Sequence, residues 1–310
     1  MFYCIESDPF AICHQWHKIL ERMSMAIDPP HPLAYRDSLK SFLLEDWGAG
    51  DWTSLAVPDR DVSAVVVAKA DLVIAGLPVA RDVFHLSEPS LEVEFFAKDG
   101  DRLATGFEAI KIHGSSRQIL MAERVMLNLL QRLSGTATLT RLFVDAVSGT
   151  GAKILDTRKT TPGIKVLEKY AVRCGGGFNH RLNLADGILI KENHIEVAGG
   201  IRAAAASARL TSPNLLRIEV EVETLEQLAE CLAIPEIDGA LLDNMDEQTM
   251  GNAVSMRNSS GRNFFLEASG NITLSRAKSV AETGVDFLSV GALTHSAPAA
   301  DLSLRIIHKL

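Results

Sequence analysis

The sequence predicts an α/β protein whose C-terminal half is an incomplete α/β barrel. Six short apolar runs follow Gly151, and helix-like segments separate most of them. Each run leads into a charged or small polar residue. Alternating strands and helices indicate a parallel sheet, and functional groups at the carboxyl ends of such strands are typical of barrels. Because six strands are counted where a closed barrel has about eight, the predicted barrel is incomplete.

Length and composition limit the classes of protein that fit. The 310 residues favour two domains, and 47% hydrophobic with 23% charged residues is typical of a globular chain. A net charge of -8 argues against a nucleic-acid partner, and no apolar run reaches the ~20 residues that cross a bilayer. Four scattered cysteines and no secretory signal favour reduced thiols in a cytoplasmic protein.

The N-terminal half mixes helix and strand signals. Residues 1–33 are interpreted as an N-terminal extension, which a proline cluster separates from a short helix around Leu39. Strand-like runs cover 62–67, 72–75 and 91–96, and one helix is expected near 79–86. Apolar residues at steps of three and four predict helix over 117–147, which Ser134 and Gly135 are expected to break in two.

The C-terminal half contains the six apolar runs that predict strands. They are Ile154-Leu155, Ile188–Ile190, Leu216–Val220, Ala240–Leu242, Phe264–Leu266 and Phe287–Val290. The residues that follow them, in the same order, are Asp156, Lys191, Glu221, Asp243, Glu267 and Gly291. We expect these residues to meet at one end of the barrel.

Residues 156–194 carry an excess of positive charge. Seven Lys/Arg against four Asp/Glu leave a local charge of +3. Three of these cations fit a solvated helix face: Lys165, Lys169 and Arg173. Four others flank a Gly-Gly-Gly loop or end apolar runs, where an unpaired cation is costly: Arg158, Lys159, Arg181 and Lys191. This second group predicts a polyanionic ligand.

Glu221 and Asp243 follow neighbouring predicted strands on the same side as these cations. Carboxylates facing a bound anion suggest Mg²⁺, which one or two carboxylates and substrate oxygens usually hold. The alternative is direct pairing with Arg158 or Lys191. Neither a dinucleotide fingerprint at the glycine loop nor a phosphate loop of the GxxxxGK[ST] type is present.

Spaced motifs give a more specific identification. The strongest are DTRKTTPG at 156–163, KYAVRCGGG at 169–177, NHR at 179–181 and LIKENH at 189–194. Shorter ones are ED at 45–46, GDWT at 50–53, AER at 122–124, EVE at 219–221, LDN at 242–244 and VGALTH at 290–295. In this order the motifs resemble those of the quinolinate phosphoribosyltransferase family, from about Leu39 to the C-terminus. Residues 1–33 lie outside the resemblance.

The resemblance implies a fold, an activity and a partner. Residues 34–145 would form an open α/β sandwich, to which residues 293–310 can return, and residues 146–292 would form the barrel. The enzyme would transfer phosphoribosyl from 5-phosphoribosyl 1-pyrophosphate to quinolinate with Mg²⁺, releasing pyrophosphate and CO₂. The product would be nicotinate mononucleotide, in de novo NAD synthesis. A homodimer or larger homo-oligomer is implied, in which one subunit's N-terminal domain covers the partner's barrel mouth.

The resemblance also implies residue roles. Arg158, His180 and Arg181 match positions that bind the quinolinate carboxylates, and Arg124 matches an arginine lent by the neighbouring subunit. Four residues match catalytic positions: Lys159, Lys191, Glu221 and Asp243. Both lysines contact the substrates, and both carboxylates lie near the ribose and the Mg²⁺-pyrophosphate. Four more match loops around the sugar phosphate: Ser269, Gly270, Gly291 and His295.

Cys174 lies within the KYAVRCGGG motif and could be proposed as a nucleophile. It is predicted to pack instead, since no step of the implied reaction requires a thiolate.

Three other interpretations stay open at this point. A related phosphoribosyltransferase could act on another pyridine carboxylate, such as nicotinate. A homologue associated with molybdate transport shares the TRKT-type motif, but usually lacks the CGGG, NHR and KENH arrangement present in this sequence. A non-catalytic anion-binding module would have no reason to keep both the cations and Glu221 with Asp243.

Overall fold

The computed structural model describes residues 27–307. Most of the predicted extension, with Cys4 and Cys13, therefore lies outside the described residues. The first described element is a 3-10 turn at Pro32–Ala34. Helix α1 (Arg36–Trp47) follows and confirms the helix predicted around Leu39. Leu39 and Leu43 are buried on the side of α1 that faces the N-terminal core.

A four-stranded antiparallel sheet forms the N-terminal part of the fold. Its spatial order is β12 (Leu302–Ile307), β1 (Asp61–Ala68), β5 (Glu108–Ser115) and β3 (Glu92–Phe95). A smaller sheet pairs β2 (Leu72–Val73) with β4 (Arg102–Leu103). Two further helices belong to this part, α2 (Trp52–Leu55) and α3 (Leu77–Ser87). The segment that ends the described chain thus pairs with β1, the first strand.

Helix α4 (Ser116–Ala146) is continuous, so the predicted break at Ser134 and Gly135 is wrong. Glycine in a helix interior costs only about 1 kcal/mol relative to alanine, and here tertiary packing outweighs it. The Ser134 hydroxyl accepts a hydrogen bond from the Ala75 amide at 3.1 Å. A Cβ built on Gly135 would lie 2.0 Å from the Pro298 carbonyl oxygen. Gly135 therefore admits the backbone of another segment and does not end the helix.

The C-terminal part is a six-stranded parallel sheet, and this confirms the predicted incomplete barrel. Its order is β6-β11-β10-β9-β8-β7. The strands are β6 (Lys153–Leu155), β7 (Ile188–Ile190), β8 (Ile218–Val222), β9 (Gly239–Asp243), β10 (Phe265–Ser269) and β11 (Phe287–Ser289). Glu221, Asp243 and Glu267 lie within strands and not after them. The parallel register still directs the carboxyl ends of all six strands to one side.

Helices connect these strands and cover the outer face of the sheet. They are α5 (Lys165–Cys174), α6 (Glu192–Ala198), α7 (Ile201–Thr211), α8 (Leu225–Leu232), α9 (Glu247–Ser259), α10 (Leu274–Glu282) and α11 (Ala292–His295). A second apolar core lies between sheet and helices. Over residues 27–307, none of the helices has the length and apolar character that membrane crossing requires. The domain bounds near residues 33, 145 and 292 stay predictions.

The sheet stays open between its edge strands, β6 and β7. Leu155, the last residue of β6, forms a single parallel bridge with Phe178. The segment from Phe178 to Arg181 therefore lies along the open edge. This places His180 and Arg181 beside the interior of the sheet.

The contact of Gly135 with the Pro298 segment generates a stability prediction. Gly135→Ala should lower the free energy of unfolding by about 1–3 kcal/mol, because the added methyl group displaces a packed backbone. Gly251 in α9 is a matched control, since a Cβ built on it would have nothing within 4 Å. Gly251→Ala should raise stability by about 0.5–1 kcal/mol. Urea unfolding of both variants measures the difference, and equal effects would contradict the role given to Gly135.

Candidate active site

A cavity of about 560 Å³ opens at the carboxyl ends of the six strands. Nine of the residues predicted for the site line it: Arg158, Lys159, His180, Arg181, Lys191, Glu221, Asp243, Ser269 and Gly270. The sequence places these residues on six separate segments, and the parallel sheet brings them together. Thr157, Asn244, Asn271 and Ser289 also line the cavity and were not selected from the sequence.

The remaining three predicted residues occupy different places. Gly291 lies beside the cavity, since a Cβ built on it would be 3.0 Å from Lys159 Cδ and 3.2 Å from His295 Nε2. His295 is therefore a neighbour of Lys159 as well. Arg124 is exposed on α4 and does not line the cavity of its own chain.

The four cations of the cavity differ in how they are held. Lys191 forms an ion pair with Glu221, which is the direct pairing considered from the sequence. Arg181 donates from Nη1 to the Gly187 carbonyl at 2.8 Å. Burial, followed by the charge of Arg158, lowers the pKa of Arg181. The side chains of Arg158 and Lys159 are exposed, and neither forms a hydrogen bond or ion pair within residues 27–307. Two cations thus remain available to an anionic ligand.

A buried ion pair under the cavity holds the segment of His180 and Arg181. Lys169 donates to the carboxylate of Asp156 and, at 2.9 Å, to the His180 carbonyl. Asp156 also accepts from the His180 amide at 2.9 Å and from Asn179 Nδ2 at 2.6 Å. Burial raises the pKa of Asp156 and lowers that of Lys169, although the attraction between the two opposes both shifts. The pair therefore fixes the backbone that presents two site residues.

The interpretation of Lys169 as a solvated helix residue is wrong, because its side chain is only 3% exposed. Arg173 is also more than a solvated cation, since its guanidinium lies 4.8 Å from the centre of the Phe178 ring. The sequence signal that could have identified the pair is Asp156 itself. A carboxylate that directly follows a buried strand needs a partner of opposite charge.

Two buried glutamates lie below the cations, on the inner face of the open barrel. His180 Nε2 is 3.3 Å from Glu219 Oε2 and 3.7 Å from Glu267 Oε2. Burial is the main cause that raises the pKa of Glu219 to about 7 and that of Glu267 to about 8. His180 Nδ1 accepts a hydrogen bond from the Arg181 amide at 2.7 Å, so Nε2 carries the proton that faces the glutamates. Glu267 follows one of the six apolar runs, whereas Glu219 was not selected from the sequence. Alternation along β8, where Glu219 and Glu221 share a face, was the signal that could have identified Glu219.

Two groups of carboxylates in the site could bind a metal ion. In the described part of the chain, the His/Cys/Asp/Glu group with three ligand atoms close together is His180, Glu219 and Glu267. Glu221 and Asp243 lack a third protein ligand of this kind there. Both nevertheless line the cavity and offer the oxygen atoms that Mg²⁺ prefers. A cation at these two residues would need ligand oxygens from a substrate.

Cys174 lies away from this chemistry. The residue is buried at the end of α5, and its burial raises the pKa of the thiol. A buried, protonated thiol is a poor nucleophile. The structure thus agrees with the packing role predicted for Cys174.

The buried position of Glu267 generates a pH prediction. Its pKa of about 8 lies above the ordinary value of 4.5, so the folded protein holds a proton that the unfolded chain loses between these values. The contribution of Glu267 to stability is therefore intact below about pH 4.5 and falls as the pH rises to about 8. Glu267→Gln should raise the free energy of unfolding by about 1–3 kcal/mol at pH 9 and change it little at pH 4.

Denaturant unfolding at the two pH values tests this effect. Glu230→Gln, on the exposed face of α8, is the control and should have no effect at either pH. An equal effect of Glu267→Gln at pH 4 and pH 9 would contradict a buried, protonated Glu267.

Comparison with known proteins places the chain among related sequences and structures. Family models match residues 51–134 (quinolinate phosphoribosyl transferase, N-terminal domain) and 136–305 (the C-terminal domain of the same family). A probable nicotinate-nucleotide pyrophosphorylase [carboxylating] from Synechocystis is 42% identical over 87% of this chain and 91% of that protein. The Bacillus subtilis protein of the same name is 42% identical over 88% of this chain and 94% of its own.

A solved structure agrees with these sequence matches. The nicotinate-nucleotide pyrophosphorylase of Francisella tularensis superimposes with a TM-score of 0.86 and 38% identity, over 91% of this chain and 99% of that chain. Together the two family models extend over most of the described residues. The related sequences and this structure each match most of the chain. The chain therefore belongs to the quinolinate phosphoribosyltransferase family.

Proposed function

We propose that the protein transfers the phosphoribosyl group of 5-phosphoribosyl 1-pyrophosphate to quinolinate and releases pyrophosphate and CO₂. The product is nicotinate mononucleotide, and the reaction belongs to de novo NAD biosynthesis. The observation that carries the proposal is the cavity in which Arg158, Lys159, Arg181 and Lys191 converge together with Glu221 and Asp243. Both substrates are polyanions, and four converging cations, of which Arg158 and Lys159 have no ion-pair partner within residues 27–307, suit them.

Quinolinate carries two adjacent carboxylates, and two arginines of the cavity suit them. A guanidinium presents parallel N–H donors that match a carboxylate. The exposed side chain of Arg158 can turn toward one carboxylate, while Arg181 is held at Gly187 and faces the cavity from the open edge. His180, next to Arg181, would complete this side of the quinolinate site.

The phosphoribosyl substrate is proposed to occupy the opposite side of the cavity. Lys159 and Lys191 would stabilise the negative charge of the departing pyrophosphate, and Ser269 and Gly270 would border the sugar phosphate. Lys191 is paired with Glu221 in this structure, so an incoming anion would share Lys191 with that carboxylate. Gly291 and His295 would close this side next to Lys159.

Glu221 and Asp243 fit Mg²⁺ when pyrophosphate supplies the remaining ligands. Their oxygen atoms face the cavity, and the described residues offer no third carboxylate or imidazole grouped with them. When bound, Mg²⁺ would neutralise charge on the pyrophosphate. The same two carboxylates would face the positive charge that develops on the ribose.

The proposed reaction needs no covalent nucleophile from the protein. The pyridine nitrogen forms a bond to ribose C1 while the bond from C1 to the pyrophosphate oxygen breaks. The adjacent carboxylate then leaves as CO₂, and its bonding electrons stay on the ring carbon beside the cationic nitrogen until a proton replaces them. Protein cations position both substrates and stabilise the developing charges.

We also propose a homodimer or larger homo-oligomer with shared sites. Arg124 is exposed and does not line the cavity of its own chain. Both features are expected of a residue that contributes to the site of a partner subunit. Location in the cytoplasm stays a prediction.

Substrate choice tests the proposal directly. Purified protein with 5-phosphoribosyl 1-pyrophosphate and Mg²⁺ should form mononucleotide and CO₂ from quinolinate but not from nicotinate. Arg181→Ala should raise the KM for quinolinate by at least about tenfold, because a buried guanidinium contact to a carboxylate is lost. Arg202→Ala, on the exposed face of α7, is the control and should leave both KM values unchanged. Product from nicotinate alone would overturn the dicarboxylate assignment.

Mixing of two inactive variants tests the shared site. Arg124→Ala and Lys159→Ala should each be nearly inactive alone, because every site lacks one of the two residues. Co-expression should restore roughly a quarter of wild-type activity, since half of randomly formed dimers contain one intact site out of two. A mixture as inactive as its components would contradict the contribution of Arg124 from a partner.

A further inference from the structure

Two loops flank the cavity on the side proposed for the phosphoribosyl substrate, and both contact one ion pair whose carboxylate is completely buried. Loop A covers residues 157–163 and carries Arg158 and Lys159. Loop B covers residues 291–297, includes the single-turn helix α11 and carries His295. The ion pair joins Arg132 of α4 to Glu168 of α5. Neither charged residue lines the cavity.

Glu168 holds loop A from below. Its carboxylate is completely buried and accepts hydrogen bonds from Arg132 Nε at 3.1 Å and Nη2 at 2.8 Å. It also accepts two bonds from Thr161 of loop A, from the amide at 2.8 Å and from the hydroxyl at 2.8 Å. Every bond of this carboxylate within residues 27–307 therefore goes either to Arg132 or to loop A.

Arg132 holds loop B in the same way. Its guanidinium donates to the Ala297 carbonyl at 3.1 Å and to the Thr294 carbonyl. The buried Thr294 hydroxyl donates to the Lys159 carbonyl at 2.8 Å and so joins loop B to loop A. The contacts form a closed network of two helices and two loops around a single charge pair.

We infer that Arg132 and Glu168 are positioning residues that set the relative geometry of loops A and B for the phosphoribosyl substrate. The inference rests on the proposed function and adds two residues to its machinery. The Lys159 side chain has no side-chain partner within residues 27–307, so its position depends on the backbone that this network fixes. Displacements of about 1 Å at such groups can lower a rate by about 100-fold.

Two variants separate positioning from simple stabilisation. Glu168→Gln keeps the shape of the side chain but removes the charge that orders Arg132 and Thr161. Thr294→Val removes the hydrogen bond to Lys159 and leaves the ion pair intact, so it tests the inference even if Glu168→Gln fails to fold. The control is Asp286→Asn, which breaks the 2.8 Å pair of Asp286 with Arg257 at the opposite end of the sheet.

The readouts are thermal melting, KM for both substrates and equilibrium binding of Mg²⁺-pyrophosphate by calorimetry. Both loop variants should weaken pyrophosphate binding and raise the KM for 5-phosphoribosyl 1-pyrophosphate by about tenfold. The KM for quinolinate should rise clearly less than the KM for 5-phosphoribosyl 1-pyrophosphate, because His180 and Arg181 lie on a separate segment and only Arg158 of its proposed ligands belongs to loop A. Asp286→Asn should lower the melting temperature without this selective effect.

The outcomes separate this inference from the proposed function. The positioning role would be overturned if the KM values for both substrates rose by the same factor. It would also be overturned if both loop variants bound pyrophosphate as tightly as the wild-type protein. If the wild-type protein binds pyrophosphate but does not convert quinolinate, the proposed function fails, while the comparison of pyrophosphate affinities still decides the role of Arg132 and Glu168.

Discussion

Two consecutive buried charges on helix α5, Glu168 and Lys169, hold the two cationic segments of the site. Successive residues of a helix point about 100° apart, so the two side chains can reach different neighbours. Glu168 binds Arg132 and the loop of Lys159, whereas Lys169 binds Asp156 beneath His180. Removal of Arg132 or Asp156 would leave the buried charge of Glu168 or Lys169 without a partner, which would lower the free energy of unfolding by about 3–5 kcal/mol. One short helix therefore fixes both walls of the cavity.

The charges of the cavity are arranged in two layers. Cations face the opening, and the carboxylates of Glu219 and Glu267 lie below them, in the interior of the sheet. Burial raises the pKa of Glu219 to about 7 and that of Glu267 to about 8, so near neutral pH neither is fully ionised and both neutralise the cations less than ordinary carboxylates would. Arg158 and Lys159, which have no ion-pair partner within residues 27–307, consequently keep their positive charge for an anionic ligand. This arrangement is easier to explain by anion recognition than by stability, because a barrel interior is ordinarily filled with apolar side chains.

The sequence was most informative where the signal was local. Six apolar runs identified the sheet and its carboxyl edge, where Lys191, Glu221 and Asp243 line the cavity, because a parallel sheet collects strand ends automatically. The local charge excess indicated the other cations, and the family resemblance supplied His180, Ser269 and Gly270. Prediction failed for Gly135 because its environment depends on Pro298, far away along the chain. It failed for Lys169 because an excess of charge does not distinguish a cation paired with Asp156 from a solvated one. Glu219 was missed for another reason: it lies inside a strand, whereas the sequence signal lay at the strand ends.

The cavity depends on the N-terminal part of the chain although none of its lining residues belongs to that part. Helix α4 contributes to both apolar cores and also supplies Arg132 and Gly135, which receive the segment that follows the site. Gln131 forms two hydrogen bonds to this segment. Its side-chain Nε2 donates to the Leu302 carbonyl at 2.7 Å, and its backbone carbonyl accepts from the Ala300 amide at 2.9 Å. From there the chain enters the N-terminal sheet as β12. Loop B, with His295, thus lies between strand β11 of the barrel and strand β12 of the N-terminal sheet. Because α4 contacts this loop and the segment that follows it, packing against α4 sets the geometry of this side of the site.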